Sequence, residues 1–187
     1  MTSPPPRAGR AGRGRRWPRR ALAVGLALLS ALAVATAFVI VWPPQGMPAR
    51  VDAVVMLAGP GNRLPVAVQL ARQHRAPVLV VSQGHLGYGG PCPAPVPGVT
   101  LTCFDPNPAD TRGEAEYIAR LAKRDHWQAI TVVATPEQDV RARLVVGRCY
   151  PGTIYVVTAP VPRSQLPYQV AYGWAALFKA LVLQRTC

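Results

Sequence analysis

Past residue 50 the chain alternates two hydrophobic rhythms. Four short, nearly continuous apolar runs, VDAVVML (51–57), APVLVVS (76–82), AITVVAT (129–135) and TIYVVTA (153–159), read as buried strands. Between them the apolar residues fall at helical spacing. Leu64, Val66, Ala67, Leu70 and Ala71 predict a helix over 64–74, Ala115, Ile118, Ala119 and Ala122 one over 114–124, and 140–146 a third. A last helix is expected over 164–184, with Val170, Ala171, Trp174, Leu177, Phe178, Leu181 and Val182 on its packed face. Residues 83–109 hold six prolines and five glycines and are expected to form a long loop. Apolar strands alternating with helices imply an α/β fold with a parallel sheet covered on both faces.

The first 50 residues follow another pattern. Residues 21–42 (ALAVGLALLSALAVATAFVIVW) carry no charge over 22 positions, long enough to cross a hydrocarbon core. Seven arginines and no acid lie before residue 21, which predicts a cytoplasmic N-terminus and a domain on the far side of the membrane. Ala35-Thr36-Ala37 offers small residues for signal cleavage. The apolar run nevertheless continues through Trp42, beyond the usual h-region of about 7–15 residues, and favours an uncleaved signal anchor. Trp17 and Trp42 fall where the two interfaces are expected, and Pro43-Pro44 ends the helix. The expected organisation is a basic tail (1–20), a transmembrane anchor (21–42), a linker (43–50) and an α/β domain (51–187).

This partition changes the meaning of the charge. Of the formal +13, the tail accounts for seven, leaving 14 basic against 8 acidic residues, so nucleic-acid binding by the folded part is not expected. Cys92, Cys103, Cys149 and Cys187 all lie on the outer side, where an even count reads as disulfides. Three pairings are open. Cys92 with Cys103 and Cys149 with Cys187 are expected, and the lack of a CxxC pair argues against a metal site.

Parallel α/β sheets bind ligands at the carboxyl ends of their strands. The candidates there are Gly59, Gly61, Asn62 and Arg63 after the first run, Ser82, Gln83 and Gly84 after the second, and Thr135, Gln138 and Arg141 after the third. Thr111, Arg112 and Glu114 open the preceding helix at the same edge. Glycine turns and guanidinium groups suit a phosphate. Leu64 occupies the position where a dinucleotide fingerprint needs a glycine, so no nicotinamide or other cofactor is expected. Thr111 and Glu114 have capping-box spacing, which leaves Arg112, a cation at the positive end of a helix, as a candidate anion contact. Ser82 and Ser164 are the serines past residue 50, and neither lies in G-x-S-x-G; a Ser82–His85–Asp110 arrangement is conceivable. His74 and His126 read as structural or surface groups.

The segments DAVVMLAG with Arg63, VVSQG, DTRGEA and ATPEQDVRAR, in this order, resemble the YdcF-like (SanA/ElyC) envelope domain family over residues 51–187. The resemblance implies a membrane-anchored, Rossmann-like outer domain linked to peptidoglycan or carrier-lipid metabolism. Gln138 aligns with a family histidine and Gln83 with a family glycine; glutamine hydrogen-bonds but does not titrate. Two functions are therefore expected in competition. One is an envelope protein binding a phosphate-bearing or lipid-linked metabolite, with transfer or hydrolysis open. The other is a catalytically silent scaffold that recruits envelope proteins.

Overall fold

The computed structural model describes residues 17–84 and 91–187, so most of the arginine-rich tail, and His85, lie outside the described residues. The chain forms two compact units, residues up to Ala35 and Thr36–Cys187. The first holds α1 (Trp17–Thr36) up to Ala35, and the π-helical turn that follows, Ala37–Val41, belongs to the second; Arg19–Val41 form a 23-residue helix apolar enough to cross a membrane.

The second unit is a three-layer, Rossmann-like α/β domain. Strands β1 (Ala53–Met56), β2 (Val78–Ser82), β3 (Thr100–Phe104), β4 (Ala129–Ala134) and β5 (Thr153–Thr158) form one sheet in the order β3-β2-β1-β4-β5, every neighbouring pair parallel. Alternation along β1 explains the layering. Val54 and Met56 face α2 (Arg63–Arg72) through Ala67 and Ala71. Ala53, Val55 and Leu57 face α3 (Thr111–Arg124) and α4 (Asp139–Cys149) through Ala115, Ile118, Ala142 and Val146. Strand order reverses between β1 and β4, which opens a crevice at their carboxyl ends.

Three expectations change. The 83–109 segment holds a fifth strand, β3, which pairs with β2 along the edge of the sheet and is pinned by the Cys92–Cys103 disulfide, Cα atoms 5.9 Å apart. The linker is tied to the opposite edge: Gly46 bridges Val156, and the Thr158 N–H donates to Gln45 Oε1 at 2.8 Å. Finally, α5 (Leu166–Val182) buries Gln169, Gly173, Leu177 and Ala180, so it is rotated from the expected face and turns Phe178 and Val182 outward. Cys149–Cys187 ties the end of the chain to α4, Cα atoms 5.0 Å apart.

Candidate functional site

The turns after β1, β2 and β4, the start of α3 and one side of α5 enclose a cavity of about 760 Å³ at the switch point. Its floor is built by Arg63. The first turn of α2 aims this side chain back under the end of β1, where Nη1 donates to Leu57 O (3.0 Å) and Ala58 O (2.6 Å). Nη2 donates to Thr135 Oγ1 at 3.0 Å, so one guanidinium braces β1 to the turn after β4. Gly59 covers it with φ +135°; a Cβ there would lie 2.8 Å from Nη2. Arg63 is 3% exposed, and burial pulls its pKa down to about 10, against the stabilising charges of Glu137 and Glu114. Three of its five N–H donors are thus held by the protein, two by backbone carbonyls and one by the Thr135 side chain, while Nε is left without a partner.

Glu114 is also not the residue its spacing suggests. The N-cap of α3 is Asp110, whose Oδ1 accepts from Arg112 N (2.9 Å) and Gly113 N (3.1 Å). Thr111 moves one position into the helix and lines the cavity. Released from the capping box, Glu114 points into the crevice, where its Oε1 accepts the Ala58 N–H at 2.6 Å. The carboxyl group is 3% exposed, and desolvation raises its pKa to about 7, opposed by the Ala58 N–H, the Ser82 hydroxyl and the charges of Arg63 and Arg141. Gly113 makes this approach possible: a Cβ there would lie 1.9 Å from Pro108 O.

The 3₁₀ turn Pro136–Gln138 supplies another part of the lining. Glu137 is buried and accepts a hydrogen bond from the Thr135 hydroxyl. Gln138 is 2% exposed and lines the cavity with its Oε1 unpartnered, as is the fully buried Ser82 Oγ by hydrogen-bond geometry. Arg141, one turn on, lies with Cζ 5.4 Å from the centre of the Tyr172 ring and Nη1 3.5 Å from its hydroxyl, at the limit of a hydrogen bond. Its Nε has no partner, so Arg141 keeps most of its donors.

Of the expected residues, Gly59, Arg63, Gly84, Thr111, Glu114, Gln138 and Arg141 line the cavity. Ser82 and Thr135 stand behind it, in reach of Glu114 and Arg63 respectively. Gly61, Asn62, Gln83 and Arg112 fall outside the lining. Arg112 pairs with Glu116 at 2.9 Å across one helical turn, which resolves the oddity of a cation at that position without any ligand. Glu137, Tyr168, Tyr172 and Lys179 line the cavity without being among the expected residues; the last three arrive because α5 folds back over the strand ends. Glu137 had a weak signal, being next to Gln138 at a strand end. Among the described residues, no group of three His, Cys, Asp or Glu could hold a metal ion.

Chemically, the cavity combines one carboxyl group poised to titrate near neutrality, a cation with unspent donors, and a rigid strand-end floor. A scan against known protein families, a search of curated proteins and a search of solved structures each find no match.

Proposed function

We propose that this is a single-pass membrane protein whose α/β domain faces away from the cytoplasm and binds a phosphate-bearing or lipid-linked envelope metabolite in the strand-end crevice. The observation that carries this reading is the placement of Arg141, with its unspent donors, and Lys179 in the lining of the same cavity as Glu114. These cations supply the anion contacts first assigned to Arg63 and Arg112. Glu114 is the proton carrier for transfer or hydrolysis beside that phosphate, since its pKa of about 7 lets it both give and take a proton at neutral pH. The order of the strand-end motifs supports membership of the YdcF-like proteins, and the disulfides support an oxidising compartment.

The test is equilibrium binding of a polyprenyl phosphate and of a nucleoside diphosphate to the full chain in detergent micelles, beside Arg141→Ala. Saturable binding weakened at least about tenfold by the variant, equivalent to about 1.4 kcal/mol, is expected. A wild-type chain that binds neither probe overturns the reading. The scaffold alternative is favoured by Gln138, a non-titrating side chain where the resemblance implies a histidine, and it predicts binding without turnover. A reporter fused after Cys187 tests orientation, and reporter activity confined to the cytoplasm would refute it.

A further inference from the structure

α5 has an unusual outward face. The line opposite its buried residues runs Ala171, Ala175, Phe178, Val182, all apolar; Phe178 is 65% exposed, and Leu181 and Leu183 beside it are 50% and 72% exposed. Tyr168 and Tyr172 flank the start of this line. Residues 163–187 carry Arg163, Lys179 and Arg185 and no acid. A helix on a water-facing domain ordinarily turns polar residues outward.

The packing behind α5 says what covers this face. Within the α/β unit, Thr36–Val41 docks on α5: the Trp174 indole N–H donates to Thr36 Oγ1 at 3.1 Å, and Ile40, 3% exposed, fills the space above Gly173, where a Cβ would lie 2.9 Å from Ile40 Cδ1. These same residues are the last turn and a half of the apolar Arg19–Val41 helix. At 1.5 Å per residue that helix is about 35 Å long, against a hydrocarbon core of roughly 30 Å. By chain connectivity the apolar span ends at Val41, inside the α/β unit and against α5. Trp42, 72% exposed, marks the level with an aromatic of the kind that favours interfaces.

We infer that α5 is an interfacial helix whose Phe178–Val182 face is embedded in the lipid headgroup region of the membrane the chain is anchored in. Its apolar face, basic flanks and lack of acids fit a surface containing anionic lipid. Tyr168, Tyr172 and Lys179 belong both to this helix and to the crevice, so one wall of the crevice is built on the membrane-facing helix. The inference rests on the membrane-anchored reading above.

The full chain is reconstituted in vesicles of phosphatidylethanolamine and phosphatidylglycerol with a benzophenone amino acid at position 178, at 182 or, as control, at 124, where Arg124 is exposed on α3. After irradiation, lipid adducts at 178 and 182 several-fold above those at 124 are expected. Alkaline extraction of the same vesicles reports on the anchor: release of the chain refutes the anchored reading itself. An anchored chain with no lipid adduct above the control overturns the interfacial helix alone. An adduct joining two copies of the chain also overturns it, by making the face a protein interface.

Discussion

Replacing Glu114 with glutamine should make the domain less sensitive to alkali. The side chain keeps its shape, and Oε1 can still accept the Ala58 N–H, so the change removes a charge with little else. In the wild type the carboxyl pKa rises from 4.5 to about 7 on folding. The folded state thus holds the proton more tightly than the unfolded chain. Stability is greatest below pH 4.5, falls as pH rises through the interval to 7, and stays reduced above it. At about 1.4 kcal/mol per pH unit, the loss is about 3 kcal/mol. Glu114→Gln escapes this loss, while Arg63 retains Glu137 as a counter-charge. The variant should match the wild type near pH 4 and exceed it near pH 8 by roughly 6–12 °C in Tm for a domain of this size. Intrinsic tryptophan fluorescence of the full chain during heating, at a series of pH values, provides the measurement. Taking the difference between the two proteins cancels every other titrating group. Parallel Tm profiles from pH 4 to 8 would refute the claim that Glu114 is desolvated in the crevice.

Other consequences can be checked on the same preparation. Arg63→Ala removes the brace between β1 and the turn after β4 and strands two buried carboxyl groups; a loss of about 3–5 kcal/mol is expected, read as a lowered Tm. Gly113→Ala drives a methyl group into the Pro108 carbonyl, so poor folded yield or a large fall in Tm is expected, and a Tm within a degree or so of wild type would refute the close approach. Cys92→Ser with Cys103→Ser should cost about 2–4 kcal/mol and expose β3 to proteolysis before any other strand.

Much of the fold could be read directly because its central strands are buried on both faces and so appear as uninterrupted Val and Ile runs. β3 was hidden for the opposite reason. TLTCF is a half-exposed edge strand between proline-rich stretches, and its place is fixed by pairing with β2 and by a disulfide, neither of which has a local periodicity. The start of α3 has Thr111–Glu114 spacing that suits a capping box, yet Asp110 is the cap. Glu114 instead accepts from a partner 56 positions earlier in the chain, the Ala58 N–H, a long-range contact with no local signal. The strand-end rule placed the crevice correctly in outline, yet could not tell a guanidinium that faces a cavity from one that holds its floor. α5 is apolar on several sides, so its pattern alone did not fix which side would be packed.

The strand order also constrains when the crevice can come into being. β1 is the first strand synthesised and ends as the centre of the sheet, but one of its two neighbours, β4, is made only after β2, β3 and three helical or loop crossings. Until β4 arrives, one edge of β1 offers unpaired backbone groups, and Arg63 has no Thr135 to hold. Closing so long a loop is entropically slow. The crevice is thus assembled late, and a chain interrupted before residue 129 would carry a sticky strand edge where the finished protein has β4.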